Sequence, residues 1–340
     1  MKEEGTATMK KGGTGTGTGT MKGGGTGTAK GGGIGAMRGR DLVSLSDLSS
    51  GEMELVLDLT GSVKAGPKRH SRALARKTLA MIFEKPSLRT RVTFETGMTR
   101  LGGYAVYLGP QEGKLGERES VPDVARNLER WVDGIVARTF SHQLVKDLAQ
   151  HARIPVINGL TDEEHPCQAI ADFFTIREVC GRVKGIPIAY LGDGNNVAVS
   201  LIHAAGLTGA RLTLAGPSGY EPPARHVEIG RRLASASGGE IRLTNDPQEA
   251  VRGAEVVYTD VWASMGQEAE AGRRREVFSA YQVNARLMSL APGAYFMHCL
   301  PAHRGEEVTD EVADSPRSVI FQQAENRIHA QNALMILLMA

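Results

Sequence analysis

Short runs of Val, Ile, Leu and Ala alternate with longer stretches of helical spacing along most of the chain. The short runs predict buried strands and the longer stretches predict helices. Ser44 and Ser46 are candidate N-caps of the first helix. In the first half the expected strands are residues 78–83, 104–108, 134–137 and 155–157, and the expected helices are residues 42–63, 88–101, 121–131 and 144–150.

A longer helix over residues 166–180 separates this half from a second series of the same kind. Strands that alternate with helices form a parallel sheet covered on both faces, so each series predicts one such sheet. In the second series the expected strands are residues 188–191, 211–215, 240–243, 255–258, 294–297 and 319–321, and the expected helices are residues 197–205, 224–234, 249–252 and 325–339.

We therefore predict an α/β protein with two doubly wound parallel-sheet domains in tandem, joined by long helices. The first domain is expected to comprise residues 39–163 together with the C-terminal helix 324–340, and the second to comprise residues 164–323. Ligands of such sheets bind at the carboxyl ends of the strands, so the site is expected in the cleft between the domains.

The N-terminal residues interrupt the pattern. Residues 1–35 contain 14 of the 42 glycines, alternate Gly with Thr and carry few apolar side chains. Nothing there can offset the entropy of ordering the chain, so residues 1–38 are predicted to be a disordered tail. Residues 109–120 are rich in Gly and charge and predict a mobile loop beside the first strand-helix junction.

Charge and composition exclude several classes of protein. The tail carries five Lys and two Glu, a net charge of +3, so the rest of the chain has a net charge of about −1 within the formal total of +2. The sequence contains no basic stripe with interleaved aromatic residues, so a nucleic acid partner is not expected. The apolar run 333–340 is too short to span a bilayer, and we expect a cytoplasmic protein without membrane contact. Cys167, Cys180 and Cys299 lack C-x-x-C spacing, so neither a disulfide framework nor a structural zinc site is expected.

An anion site is predicted where the first strand passes into a helix at about Leu88. Free backbone N–H groups and the positive end of the helix dipole point at one spot, which also receives Ser87, Arg89 and Thr90. The planar fork of an arginine matches phosphate oxygens, so the expected ligand is a phosphate ester or anhydride. On spacing alone, an ordinary N-cap at Ser87 with the arginines in solvent fits equally well.

Further polar side chains follow other predicted strands. Arg138 ends a buried strand, where a charge indicates an anionic partner, and Asp260 and Cys299 follow two strands that share an edge of the second sheet. His165 and Gln168 begin the long helix three residues apart and can face one ligand. Taken alone, His165 also fits a helix cap and Cys299 a buried apolar filler.

Two glycine-rich stretches fail as nucleotide motifs. Gly192-Asp-Gly-Asn-Asn-Val197 opens a helix after a strand, but Val197 replaces the third glycine of a dinucleotide fingerprint and no acidic residue ends the next strand. The stretch from Gly109 to Lys114 departs from the spacing of a P-loop. Neither NAD nor a P-loop nucleotide is expected.

Five motifs together resemble the aspartate/ornithine carbamoyltransferase family over residues 40–340, in the order and spacing of that family. The motifs are Ser87-Leu-Arg-Thr90, His165-Pro-Cys-Gln168, Asp260-Val-Trp-Ala-Ser-Met-Gly266, His298-Cys-Leu-Pro301 and Glu325-Asn-Arg327. The third and fourth resemble the ornithine branch. The resemblance implies transfer of the carbamoyl group of carbamoyl phosphate to the δ-amine of L-ornithine, giving L-citrulline and phosphate. It also implies a homotrimer or a multiple of trimers, with neither metal nor organic cofactor.

The resemblance further implies a role for each matching residue. The phosphate ligands would be Ser87, Leu88 through its backbone N–H, Arg89, Thr90 and Arg138. The groups around the carbamoyl oxygen would be Thr90, Arg138, His165 and Arg327. The acceptors for the carbamoyl nitrogen would be Gln168 and the carbonyls around Cys299 and Leu300. The residues holding the α-amino and α-carboxylate groups of ornithine would be Asn196, Asp260, Ser264 and Met265. Leu88 departs from the Thr that is more familiar at its position.

The reaction needs a neutral amine. An amine like that of Lys has a pKa of about 10.4, so presenting it neutral at pH 8 costs on the order of 3 kcal/mol. Asp260 and Cys299 can orient the amine and help it lose a proton, or the departing phosphate can take that proton. Three alternatives stay open: a sister transferase for N-acetylornithine or putrescine, a non-catalytic paralogue that binds carbamoyl phosphate, and an NAD enzyme.

Overall fold

The computed structural model describes residues 34–112, 115–263 and 270–340. The predicted tail lies outside the described residues as far as residue 33. Residues Ile34–Met37 form a 3-10 turn in which Met37 is buried, and the Gly39 N–H donates to the Leu338 carbonyl (2.9 Å). Met37, which was expected to belong to the tail, is therefore packed in the interior.

The first half forms a parallel sheet in the order β2-β1-β3-β4. Its strands are β1 (Thr78–Phe83), β2 (Tyr104–Leu108), β3 (Gly134–Arg138) and β4 (Val156–Leu160). Its helices are α1 (Ser50–Ala65), α2 (Leu88–Arg100), α3 (Val121–Leu128) and α4 (His142–His151). The strand order reverses between β1 and β3, where Phe83 pairs with Arg138. Ligands favour this position in an open α/β sheet.

The second half forms a parallel sheet in the order β7-β6-β5-β8-β9. Its strands are β5 (Pro187–Leu191), β6 (Arg211–Ala215), β7 (Glu240–Thr244), β8 (Val256–Thr259) and β9 (Tyr295–His298). Its helices are α6 (Asn196–Thr208), α7 (Ala224–Ser237), α8 (Pro247–Val251), α9 (Ala271–Phe278), α10 (Ala285–Met288) and α11 (Asp310–Ala313). The order reverses between β5 and β8, where Leu191 pairs with Thr259.

Two long helices, α5 (Pro166–Cys180) and α12 (Ile320–Met339), pack against each other, and α12 also packs against α1 and α2. Both are buried on nearly all faces because apolar residues surround them, so their few polar side chains also lie in the interior. Buried polar groups need partners, which makes these side chains candidates for the site. None of the helices within the described ranges is long and apolar enough to cross a bilayer.

Most predicted elements are confirmed with shifted ends, but the strand at residues 319–321 is wrong. Val319 is the N-cap position of α12, Ile320 is buried, and Phe321 is 70% exposed one residue later. A run of three apolar residues is too short to distinguish the two periodicities. The first helix also begins later than predicted, because Ser49 caps it, whereas Ser44 caps a separate 3-10 turn.

Candidate active site

A cleft of about 1130 Å³ opens at the carboxyl ends of both sheets. Its walls contain twelve of the predicted site residues: Ser87, Leu88, Arg89, Thr90, Arg138, His165, Gln168, Asn196, Asp260, Cys299, Leu300 and Arg327. Ser264 and Met265 lie outside the described residues. The two sheets therefore bring together side chains up to 240 positions apart, from Ser87 to Arg327.

The start of α2 is both an N-cap and part of the cleft. Ser87 Oγ accepts a hydrogen bond from the Thr90 N–H (3.2 Å), so the capping interpretation is confirmed. Leu88 is 76% exposed and lines the cleft. Arg89 turns into the cleft and donates from Nη2 to the Leu300 carbonyl (2.6 Å), so the interpretation with Arg89 in solvent is wrong.

Three arginines converge on this end of the cleft. Burial, and then the charges of Arg327 and Arg89, lower the pKa of Arg138 to about 10. Among the side chains that the structure describes, Arg138 Nε and Arg327 Nε are buried without a hydrogen-bond partner. Mutually repelling cations with unused donors are complementary to an anion with several oxygens, such as a phosphate.

His165 occupies the N-cap position of α5, but its side chain makes no capping hydrogen bond. Its backbone N–H donates to Ser200 Oγ (2.7 Å), which anchors the start of α5 to α6. Burial, and then the charges of Arg327, Arg138 and Arg89, hold the pKa of His165 well below its usual range. The imidazole is therefore neutral at physiological pH and can act as a hydrogen-bond donor, not as a charged acid.

Gln168 and Thr90 are both tied to Arg327 from α12. Arg327 donates from Nη1 to Gln168 Oε1 and from Nη2 to Thr90 Oγ1 (3.2 Å). Because Thr90 Oγ1 accepts this bond, its hydroxyl hydrogen is available to donate to a ligand. One guanidinium thus links the first turns of α2 and α5 at the floor of the cleft.

Asp260 and Cys299 meet at the ends of β8 and β9, as expected for strands that share an edge. The Cys299 thiol donates to Asp260 Oδ1 (2.9 Å), and Asn195 Nδ2 donates to Asp260 Oδ2 (2.8 Å). Burial, and then the neighbouring Asp260 carboxylate, raise the pKa of Cys299 well above its usual range. The thiol stays protonated, so it can orient Asp260 but cannot serve as a thiolate base.

Several groups of the cleft were missed from the sequence. Asn195 contacts Asp260, whereas the predicted Asn196 donates to the Thr161 carbonyl (2.6 Å) and lines the cleft beside it. Lys85 is buried with Nζ 2.7 Å from Asp162 Oδ1, and both residues line the cleft. Asn195 could have been found, because it lies in the Gly192 to Val197 motif. Lys85 gave no separate signal, since its burial depends on the fold.

Comparisons with known proteins place this geometry in context. Residues 40–178 match the domain described as aspartate/ornithine carbamoyltransferase, carbamoyl-P binding domain, and residues 184–338 match the Asp/Orn binding domain of the same family. The chain is 54% identical over 304 residues to the ornithine carbamoyltransferase of Thermococcus kodakarensis, covering 88% of this chain and 96% of that relative.

A bacterial relative and a solved structure agree with these matches. The ornithine carbamoyltransferase of Bacillus subtilis is 51% identical over 301 residues, covering 87% of this chain and 93% of that relative. The solved structure of ornithine carbamoyltransferase from Pyrococcus furiosus superposes with a TM-score of 0.87 at 52% identity, covering 89% of this chain and 98% of the other.

Proposed function

The chain belongs to the aspartate/ornithine carbamoyltransferase family, and from this premise we propose that it transfers the carbamoyl group of carbamoyl phosphate to the δ-amine of L-ornithine, giving L-citrulline and phosphate. The observation that carries the proposal is the pairing of an arginine-rich anion site with the Cys299 and Asp260 pair in one cleft. Relatives more than 50% identical along nearly their whole length bear the name of this activity.

Carbamoyl phosphate occupies the arginine-rich end in this proposal. Its phosphate is held by Ser87, the Leu88 N–H, Arg89, Thr90 and Arg138. Its carbonyl oxygen is surrounded by Thr90, Arg138, His165 and Arg327. Its nitrogen donates to Gln168 and to the carbonyls around Cys299 and Leu300. The unpaired donors of Arg138 and Arg327 support this assignment, because a phosphate and a developing oxyanion would satisfy them.

Ornithine occupies the other end, held by Asn196, Asp260, Ser264 and Met265. The δ-nitrogen attacks the carbamoyl carbon, the new C–N bond forms, and the bond to the phosphate oxygen breaks with its electron pair leaving on phosphate. Asp260 accepts bonds from Cys299 and Asn195, and we assign it to the α-ammonium group of ornithine. Because the Cys299 thiol stays protonated, the departing phosphate receives the proton that the δ-nitrogen loses.

The finer features of the assignment are also proposals. We place the enzyme in arginine metabolism, and a relative named as anabolic, from Pyrococcus furiosus at 52% identity, supports a role in biosynthesis. A cytoplasmic homotrimer without metal or cofactor, with domains at residues 39–163 plus 324–340 and 164–323, completes the proposal. NAD is disfavoured because a Cβ at Gly194 would lie 2.2 Å from Pro222 N, so chain fills the space where a pyrophosphate would approach.

A citrulline assay on the purified protein tests the proposal directly. Carbamoyl phosphate is supplied with ornithine, N-acetylornithine or putrescine as the acceptor, and each product is identified by mass spectrometry. We expect citrulline from ornithine and little product from the other two amines. Carbamoylputrescine or N-acetylcitrulline without citrulline would instead assign the chain to a sister activity, and no product at all would favour a binding paralogue.

A further inference from the structure

Asp172 is a fully buried carboxylate on α5, one helical turn after Gln168. It accepts three hydrogen bonds: from Gln168 Nε2 to Oδ1 (2.7 Å), from Gln323 Nε2 to Oδ1 (2.7 Å) and from Tyr258 Oη to Oδ2 (3.0 Å). A buried charge is costly unless it is hydrogen-bonded in this way. Asp172 does not line the cleft, so the reaction itself does not explain its position.

The first consequence concerns Gln168. Its amide lies between Arg327, which donates to Oε1, and Asp172, which accepts from Nε2. An arginine can only donate and a carboxylate can only accept, so one orientation of the amide satisfies both neighbours. Oε1 is thereby turned towards Arg327 and the cleft. Among the residues that the structure describes, Gln168 Nε2 donates to Asp172 and to no other acceptor.

The second consequence concerns the end of β9. Gln323 on α12 donates to Asp172 and accepts a hydrogen bond from the His298 N–H (3.0 Å). His298 directly precedes Cys299 and Leu300, whose carbonyls are the other proposed acceptors for the carbamoyl nitrogen. One carboxylate therefore reaches both parts of the nitrogen-binding end, through a glutamine in each case.

We propose that Asp172 is a positioning residue for carbamoyl transfer, which aims Gln168 Oε1 and the carbonyls after His298 at the two N–H groups of the carbamoyl nitrogen. The inference rests on the proposed function. Burial raises the pKa of Asp172 to about 6, while its three hydrogen bonds and the charge of Arg327 oppose that rise. The side chain is therefore ionised at the pH of about 8 at which the amine reacts, and it can only accept hydrogen bonds there.

Two variants of Asp172 distinguish the effect of its hydrogen bonds from the effect of its side-chain volume. Asp172→Leu has similar volume and no acceptor. Asp172→Asn keeps an oxygen for both glutamines and turns its amide towards Tyr258, whose hydroxyl can accept. We expect kcat/KM for carbamoyl phosphate to fall by about tenfold or more in Asp172→Leu and by less than about threefold in Asp172→Asn.

Two inhibitors provide a readout that a general structural defect would not reproduce. Inorganic phosphate lacks the carbamoyl group, and acetyl phosphate carries a methyl group in place of the nitrogen. Their inhibition constants against carbamoyl phosphate should stay within about twofold of wild type in both variants, because neither molecule donates to the acceptors that Asp172 positions. Tyr258→Phe is the matched control: it removes the third hydrogen bond to Asp172 and the bond that the Tyr258 hydroxyl accepts from Gln323 Nε2 (3.2 Å). Both glutamines still donate to Asp172 Oδ1, so kcat/KM should stay within about twofold of wild type.

Three outcomes would overturn the proposal: unchanged kcat/KM in Asp172→Leu, inhibition constants that rise in proportion to KM, or an Asp172→Asn variant as impaired as Asp172→Leu. If Asp172→Leu does not fold, Gln323→Met is tested instead, because it removes the connection from Asp172 to the His298 N–H and leaves Asp172 intact. This variant must weaken the binding of carbamoyl phosphate without weakening the binding of inorganic phosphate. If wild type makes no citrulline, the proposed function fails by itself. Calorimetric binding of carbamoyl phosphate to the same variants then still decides the role of Asp172.

Discussion

At the scale of single residues, burial sets the charge of the groups in the cleft. His165 is kept neutral beside three arginines, and Cys299 keeps its proton beside Asp260. The positive charge needed for an anion therefore resides on arginines, which stay ionised even when buried. The chemistry of the site then depends on hydrogen-bond geometry, because no group in this set titrates as an acid at neutral pH.

Arg89→Lys tests the geometry of the phosphate end. Lysine keeps the charge but loses the planar fork, including the hydrogen bond from Nη2 to the Leu300 carbonyl. A lost charge-assisted hydrogen bond is worth roughly 1.5–3 kcal/mol, so kcat/KM for carbamoyl phosphate should fall by about one to two decades at unchanged melting temperature. Arg91→Lys is the control, because Arg91 is exposed and pairs with Glu95. Equal kinetics for wild type and Arg89→Lys would remove Arg89 from the site.

Cys299→Ser tests whether the thiol acts as a base. A serine hydroxyl can donate to Asp260 as the thiol does (2.9 Å), but it cannot form an anion in the pH range of the assay. Because the pKa of Cys299 lies well above its usual range, no thiolate contributes to the wild-type profile either. The variant should keep kcat within about tenfold of wild type, with the same rise of activity towards high pH. A rise that is shifted or lost in Cys299→Ser would show that the thiolate takes part in the reaction as a base.

At the scale of elements, two long helices connect the two sheets through packing and through hydrogen bonds between their side chains. α5 supplies Gln168 and Asp172, and α12 supplies Gln323 and Arg327. All four side chains are buried between the helices and the cleft, so any shift of one helix along the other would break several hydrogen bonds at once. The packing of α5 against α12 therefore sets the geometry at the floor of the site.

Close packing of helices on the second sheet gives a prediction of stability. A Cβ at Gly206 on α6 would lie 2.7 Å from the Gly230 carbonyl oxygen on α7, nearer than real Cβ contacts allow. Gly206→Ala should therefore destabilise the protein by about 1–3 kcal/mol despite the better helix propensity of Ala. Gly51→Ala on α1 is the control, since its Cβ would meet nothing within 4 Å, and it should be neutral or stabilising. A Gly206→Ala variant that melts at or above wild type would disprove the contact.

At the scale of the whole molecule, the site is divided between two sheets. The phosphate end comes mainly from residues that follow β1 and β3, and the ornithine end from residues that follow β5, β8 and β9. Bound carbamoyl phosphate would neutralise Arg89 and Arg138 and give His165 and Arg327 a common partner. The first ligand should therefore lower the free energy needed to complete the second half of the site.

Ordered binding is the prediction at this scale. Norvaline, an ornithine analogue without the reactive amine, should bind weakly alone and at least several-fold more tightly in the presence of a carbamoyl phosphate analogue, with reciprocal tightening of that analogue. Calorimetric titration in both orders measures the coupling. Equal norvaline affinity with and without the analogue would exclude the ordered mechanism and leave the chemical assignment intact.

Local pattern was enough to predict the α/β fold and much of the candidate site. A strand that is buried on both faces consists of apolar residues. Residues 78–83 are such a run, and because Pro86 and the capping Ser87 follow it, the pattern predicts a strand that ends before a helix. Topology alone brings polar residues at the ends of such strands to the carboxyl edge of their own sheet, Arg138 in the first sheet and Asp260 and Cys299 in the second. Eight of the twelve predicted site residues that line the cleft follow from such local patterns, whereas Leu88, Asn196, Leu300 and Arg327 were implied only by the resemblance to the family.

The tertiary structure decided what depends on neighbours distant in the chain. Residues 319–321 fit a strand and a helix equally well, and only packing of Ile320 in the interior with Phe321 outside selects the helix. The protonation states of His165 and Cys299 follow from burial and from charges on other elements, which no local pattern contains. Asp172 meets Gln323 across 151 positions, so its role arises only when α5 and α12 pack together.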